Sequence, residues 1–461
     1  MRRLPTIIAF YNALHNVITP GNRPHGRLVR IAVVGSGYVG IATGVSLGAA
    51  GNTVTCVDND VARVEGISRG TVPFYDPKLS ARLRILVKGR RLNSTSDTAE
   101  ATSNSDIIFL CVGTPIDRNG GLDTSHLIAA ARAVSEGLAK RNRQLVVVKS
   151  TVPPGTTEAK VIPALEAKSG LHLGEFFVVV NPEFLREGSA LADALHPSHI
   201  ILGERGRTGG DRLMKLFVGR HCPKFRTSLA VAELAKFATN AYLASRISFA
   251  NEIANLCTRL NIDADEVLHG MGLDPRVGLS YLEAGVGFGG SCLPKDAAAL
   301  AWLARSTGYS FSVLEAALSV NDQQPLEAVR LLEQEVGPLE GRRIALLGLA
   351  FKAGTDDLRG SRAIPLASLL LSRGAEVVGY DPAITGDFAK ELPGVVLTGT
   401  IEDALRGANG CLIQASWPQF EALTKREFSL MATPVVIDGR RTWDKERVPK
   451  GIVYRRIGST Q

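Results

Sequence analysis

Val29 to Val34 is a largely apolar, β-branched run that stops at Gly35, the pattern of a parallel strand buried on both faces. Small and apolar residues from Ile41 to Ala50 continue as a helix, Gly51 ends it, and Thr53 to Val57 reads as a second strand finishing at Asp58. Ile107 to Val112, Leu145 to Lys149 and Phe176 to Val180 repeat the strand pattern, each running into a loop rich in Gly, Pro, Thr or Asn. A different texture begins near Ser228: Leu229 to Leu260 holds neither Gly nor Pro across 32 residues, and its apolar spacing predicts one long helix. After Pro325 a second series starts, with a strand at Arg343 to Leu347, a helix at Ala363 to Arg373 and a strand at Ala375 to Tyr380, ending at Asp381.

The first turn is Gly35-Ser36-Gly37-Tyr38-Val39-Gly40, and Asp58 follows 18 residues after its last glycine. Strand, GxGxxG, helix, strand and acid together form a dinucleotide fingerprint. Gly35 permits the tight turn, Gly37 lets backbone approach a pyrophosphate, and Gly40 lets helix and strand pack closely. The helix N-terminus offers free N–H groups to the phosphates, and Asp58 suits ribose hydroxyls, which favours NAD over NADP. The second series turns at Gly348-Leu349-Ala350-Phe351-Lys352, without the other two glycines, so Lys352 is placed to meet a different phosphate. The predicted fold is α/β: two Rossmann-like doubly wound domains joined by a helical segment with one long central helix. The expected boundaries are 29–212, 213–325 and 326–461, after an N-terminal extension, residues 1–28, expected to be poorly ordered.

Composition changes this picture little. With 45% hydrophobic and 21% charged residues among 461, the chain is ordinary globular material with ample core. The net charge of +8 raises nucleic acid as a partner, but its distribution does not. Residues 1–30 carry five arginines and no acid, and residues 421–461 carry nine basic against five acidic residues, leaving 39 against 40 between them. Aromatics are 6% and are not interleaved with basic residues, so no base-stacking surface is expected. The six cysteines are scattered without a zinc spacing and read as reduced thiols of a cytosolic protein; the eight histidines form no HExxH, so no metal is expected. No apolar run is long enough to predict a membrane span, and polar interruptions at Asn12, His15 and Asn16 weigh against a signal peptide.

The richest stretch is Gly285-Val286-Gly287-Phe288-Gly289-Gly290-Ser291-Cys292-Leu293-Pro294-Lys295-Asp296. Its glycines let backbone approach a ligand, and Pro294 suits a first helical turn. Cys292 is therefore expected at a helix N-terminus, where the dipole and nearby Lys295 favour the thiolate. Asp296 could return to the same face. A nucleophilic cysteine beside a dinucleotide fold suggests oxidation beyond an aldehyde. Thiolate addition gives a thiohemiacetal, a second hydride loss gives a thioester, and water releases an acid. Lys236 and Asn240, four apart, share one face of the long helix.

The ordered motifs GSGYVG, VGTP, STVPPGTT, NPEFLREGSA, ELAKFATNAYLASRISFANEIANLC, VGFGGSCLPKD, LAFKAGTDDLRGS and IDGRR, between Arg30 and Gly458, resemble the UDP-glucose/GDP-mannose dehydrogenases. The resemblance implies an NAD-binding domain, a helical dimerisation segment and a C-terminal nucleotide-sugar domain. It makes Cys292 the nucleophile, gives Lys236 and Asn240 the oxyanion and the sugar, and assigns Asp296, Thr114 and Glu183 to the water of thioester hydrolysis. It assigns cofactor contacts to Tyr38, Val39, Arg63, Thr114, Glu187 and Lys295 beside the three glycines and Asp58. Substrate contacts fall on Glu183, Phe184, Leu185, Phe288, Gly289, Phe351, Lys352 and Arg440, with Arg276 lent to the neighbouring subunit's substrate. Tyr75-Asp76-Pro77-Lys78-Leu79 stands where the family commonly has Glu-Pro-Gly-Leu.

The resemblance favours oxidation of UDP-glucose to UDP-glucuronate, through ISFANEIANLC, VGFGG and IDGRR. NGGLD and FKAGTDDLRGS fit GDP-mannose enzymes about as well, which keeps GDP-mannuronate open as the product. A simpler β-hydroxyacid dehydrogenase would share the first domain and the helical lysine and asparagine but would need neither Cys292 nor the second domain. A non-catalytic NAD-binding or nucleic-acid-associated protein has only the net charge behind it.

Overall fold

The structure, a computed structural model, describes residues 28–138 and 143–459. All of the expected N-terminal extension except Leu28 lies outside the described residues. The first sheet comprises β1 (Arg30–Val34), β2 (Thr53–Val57), β3 (Leu92–Thr95), β4 (Ile107–Leu110), β5 (Leu145–Val148), β6 (Phe177–Val180), β7 (Ile200–Glu204) and β8 (Lys224–Thr227). Their order is β3-β2-β1-β4-β5-β6-β7-β8, and only β6 and β7 run antiparallel. The central strands are apolar throughout because helices cover both faces.

A second, wholly parallel sheet is ordered β11-β10-β9-β12-β13-β14. Its strands are β9 (Arg343–Leu347), β10 (Glu376–Tyr380), β11 (Val396–Leu397), β12 (Gly410–Ile413), β13 (Val435–Asp438) and β14 (Val453–Arg456). Strand order reverses between β1 and β4, and again between β9 and β12, so each sheet has a switch point, where ligands bind in such folds. Helix α1 (Tyr38–Ala49) follows the first turn.

Between the sheets lie α2 (Leu229–Leu260), α3 (Leu293–Ser306) and α4 (Ser312–Val336). The long helix has the bounds its sequence predicts, ending on Asn261 in the left-handed conformation, φ 53°. It crosses three cores. Leu229 and Ala232 pack under the first sheet, Phe237, Ala241 and Ala244 meet Ala297 and Leu300 of α3, and Ala250 and Ala254 join the second-sheet core. Side chains at one end are thereby fixed relative to both nucleotide-type domains.

The elements straddle both expected boundaries. Strand β8 belongs to the first sheet although it lies past residue 212, and α4 runs through Pro325 to Val336. Proline costs an isolated helix about 3 kcal/mol. Here Ala328, Val329 and Leu332, just beyond it, are wholly buried in the second-sheet core, and that packing carries the helix through. Among the described residues, no helix is long and apolar enough to cross a membrane.

Candidate functional site

The β1–α1 turn has the shape of a pyrophosphate cradle. Gly35 adopts φ +93°, and a Cβ on Gly40 would lie 1.8 Å from its carbonyl oxygen, so both positions require glycine. A Cβ on Gly37 would meet nothing within 4 Å, because that face is open. No side chain caps α1, leaving its first N–H groups, from Tyr38 onward, free for an anion. Asp58 accepts from the Ser36 amide at 2.7 Å and lies 3.5 Å from Arg63, fixing a carboxylate where a ribose would end. The cleft, about 840 Å³, is lined by Gly35, Asp58, Arg63 and Glu187, and by Asp357 and Arg359 from the second domain. These residues fit NAD. The Tyr38 side chain does something else: its hydroxyl donates to Arg186 O at 2.6 Å and accepts from Ala190 N at 3.1 Å, tying the turn to the loop after β6.

That loop meets α2 and α3 in a buried cluster. Lys236 Nζ lies 3.1 Å from Glu183 Oε1, with both residues 6% exposed or less. The Leu185 amide donates to Glu183, and the Lys236 ammonium sits 5.1 Å from the centre of the Phe184 ring. Burial works against the charge on Lys236, but Glu183, Cys292 and Asp296 outweigh it and hold the ammonium above its usual pKa. One turn on, Asn240 Nδ2 donates to Asp296 Oδ2 at 2.6 Å, while Lys295 grips the other oxygen at 2.6 Å. Thr114 donates to Thr151 O at 2.7 Å, joining the loops after β4 and β5.

Cys292 occupies the N-cap position of α3, as expected, but its ionisation does not follow. Burial, then Glu183 and Asp296, push the thiol up to about 11, against the pull of Lys236. The thiolate preference expected from the helix start is therefore not found: burial leads, Glu183 and Asp296 reinforce it, and Lys295 spends its charge on Asp296.

The glycine loop is held from behind. Asn321 of α4 accepts from Phe288 N at 2.7 Å and donates to Phe288 O, Gln324 donates to Gly285 O, and Asn251 of α2 accepts from Gly285 N. In front, the second domain presses directly on it. A Cβ on Gly285 would lie 2.2 Å from Gly439 O, one on Gly289 2.2 Å from Gly360 O, and one on Gly290 2.6 Å from the Phe351 ring. Lys352 lies 5.6 Å from that ring's centre, its pKa lowered by burial against the opposing pull of Glu187. Arg440 donates to Gln414 O, and burial followed by Arg362 lowers its guanidinium pKa to about 10.

Two partly buried residues escape the sequence reading. Arg362 has a buried Nε without a hydrogen-bond partner and an acid no nearer than Asp322, 4.0 Å away. Arg362 also acts on Arg440 as a like charge, and two such cations near each other suit an anionic ligand. Lys149, at the end of β5, donates to Asn181 Oδ1 at 3.2 Å, its pKa lowered by burial. Its only sequence signal is its place at a strand's carboxyl end. Arg276 stands outside this cluster, highly exposed and paired with Asp274 at 2.6 Å.

Comparison with known proteins agrees with this geometry. Residues 29–219 match the NAD binding domain of the UDP-glucose/GDP-mannose dehydrogenase family, residues 230–323 its central domain and residues 345–445 its UDP binding domain. The chain is 41% identical over 420 residues to UDP-glucose 6-dehydrogenase AglM of Haloferax volcanii, covering 90% of this chain and 97% of the relative. It is 38% identical over 432 residues to UDP-glucose 6-dehydrogenase TuaD of Bacillus subtilis, covering 93% of each. The solved UDP-glucose dehydrogenase of Pyrobaculum islandicum superposes with a TM-score of 0.88 at 39% identity, over 95% of this chain and 100% of that one. Three domain matches in order along most of the described chain, and relatives about two-fifths identical over nearly their whole length, show that the chain belongs to the UDP-glucose/GDP-mannose dehydrogenase family.

Proposed function

We propose that the enzyme oxidises UDP-glucose to UDP-glucuronate in a four-electron reaction through Cys292. The observation that carries this is the placing of Cys292 beside two polar pairs, Lys236 with Glu183 and Asn240 with Asp296, between an NAD cleft and a second domain with the partly buried cations Lys352, Arg362 and Arg440. NAD, held by Gly35, Gly37, Asp58 and Arg63, would supply the hydride acceptor for each oxidation at the sugar C6, the hydroxyl proton of the first passing to water. Sγ forms a bond to the aldehyde carbon after the first, and the resulting thiohemiacetal becomes a thioester in the second. Lys236 and Asn240 stabilise the oxyanion, replacing water with preorganised donors. Glu183 takes a proton from the hydrolytic water, its oxygen adds to the acyl carbon, and the C–S bond breaks to release the acid. Phe351, Lys352, Arg362 and Arg440 hold the nucleotide diphosphate.

The names of the relatives support UDP-glucose as substrate. Consumption of UDP-glucose should yield two NADH per sugar nucleotide, and Cys292→Ser should form no thioester. One NADH with free aldehyde would remove the mechanism, while faster turnover of GDP-mannose would reassign the substrate.

A second copy of the chain is the proposed partner. Tyr242, Phe249 and Leu256 are spaced seven apart along α2, and each is more than half exposed. Such an apolar seam is the kind that another helix covers.

A further inference from the structure

The thiol of Cys292 has to lose a proton before it can attack, and the cluster around it discourages this. Glu183 and Asp296 face it but are engaged, Glu183 with Lys236 and the Leu185 amide, Asp296 with Lys295 and Asn240. Among the described residues the one hydrogen-bonding contact to Sγ is Ser291 Oγ, at 3.7 Å. That hydroxyl donates to Glu187 Oε1 at 2.8 Å. Its single proton being so committed, a lone pair of Oγ is left to accept from the thiol. With the Ser291 proton on Glu187, the chain runs Cys292 to Ser291 to Glu187, although either atom of the 3.7 Å contact is able to donate.

Glu187 is built to receive a proton. Its Oε2 is buried without a hydrogen-bond partner, an arrangement that penalises the charged form and is relieved on protonation. Across the interface, Arg359 holds Asp357 at 2.7 Å and reaches Glu187 only at 3.7 Å. Burial first, and Asp357 next, raise the Glu187 pKa to about 7, while Ser291 and Arg359 oppose the rise. Lys352 and Tyr38 complete the groups that act on it.

We propose that Ser291 and Glu187 form a proton relay for Cys292. As the S–H bond breaks, its proton bonds to Ser291 Oγ while the Ser291 hydroxyl proton moves to Glu187, leaving a thiolate and a neutral carboxyl group. Net charge is unchanged. When the thioester is hydrolysed the thiolate takes the proton back along the same path. The inference rests on Cys292 being the nucleophile. Attack on the thiol with ionised Glu187 as general base is independent of pH once the acid has ionised, whereas attack by the free thiolate rises tenfold per unit up to the thiol's own pKa. A relay thus predicts general-base behaviour, with reactivity rising as Glu187 ionises.

The test is the rate of Cys292 alkylation by iodoacetamide from pH 5.5 to about 11 in the full chain without substrate or NAD, read by mass spectrometry of the Cys292 peptide. Wild type is expected to show a step near pH 7 before the final rise. Glu187→Gln and Ser291→Ala are each expected to lose the step, leaving a single rise of tenfold per pH unit up to the thiol's own pKa. The double variant should be no slower than either single one, and Ser291→Thr, which keeps a hydroxyl, should restore the step. Retention of the step in Glu187→Gln, its absence from wild type, or losses that multiply in the double variant would overturn the relay. Because alkylation reads Sγ alone, this outcome is separate from the Cys292→Ser turnover test.

Discussion

Lys236 and Glu183 hold each other in a place where neither charge is stable alone. Lys236→Met is expected to cost about 3–5 kcal/mol of folding free energy, because it strands a buried carboxylate, and to lower kcat by about 10²–10³. Adding Glu183→Gln should recover much of the stability and none of the turnover. Urea denaturation with steady-state assays checks both; a double variant as unstable as the single would show that the pair is not what steadies the site. Cys292 gives a pH signature. Its folded thiol keeps its proton up to about pH 11, whereas an unfolded one loses it near the usual 9.0. Between these values the unfolded chain binds fewer protons, so stability falls as pH rises, by about 1.4 kcal/mol per unit for this group. The difference in unfolding free energy between wild type and Cys292→Ala should change by about 1.7 kcal/mol between pH 8.5 and 10.5, since the slope sets in only above the unfolded pKa. The cysteine itself was legible from its glycine loop and helix start. Its suppressed ionisation was not, since Glu183 lies 109 residues away in the chain and only folding sets its charge beside the sulfur. Arg362 and Lys149 were unreadable for the same reason: one partly buried cation among 53 basic residues has no local mark.

Among the elements, α2 was readable end to end because 32 residues without glycine or proline leave few alternatives to a helix. Its twin α4 was not. Pro325 marks a stop locally, and only burial of the turns beyond it explains why the helix continues. That continuation serves the site, because Asn321 and Gln324, just before the proline, grip the glycine loop. Asn321→Leu would leave the buried amide and carbonyl of Phe288 unpaired, at about 1–3 kcal/mol each. The expected result is a clear fall in thermal midpoint with a larger proportional loss of kcat than of substrate affinity. Calorimetry and initial rates check this, and unchanged kcat would mean the loop is fixed from its other face.

Across the whole molecule, the groups proposed for catalysis belong to neither sheet alone. The first domain supplies the cradle and Glu183, the helical segment Lys236, Asn240 and Cys292, and the second domain Phe351 and Arg440. Contacts such as Tyr75 N to Asp356 Oδ1 at 3.0 Å close the cleft. Five strands of the first sheet and two of the second were legible from patterning, whereas the strand order and the remaining strands were not; β8, for one, is too short and polar at Lys224–Thr227 to stand out. Phe249→Glu, placing charge in the exposed seam of α2, is expected to shift the assembly towards monomer in light scattering; an unchanged mass would put the partner's surface elsewhere. The central claim, that carbon passes through a covalent bond to Cys292, is tested most directly by acid-quenched single turnover with UDP-glucose and NAD followed by peptide mass spectrometry. A UDP-glucuronyl thioester on the Cys292 peptide that decays as UDP-glucuronate forms is the predicted result, and full conversion to UDP-glucuronate by Cys292→Ala with no adduct in wild type would contradict it.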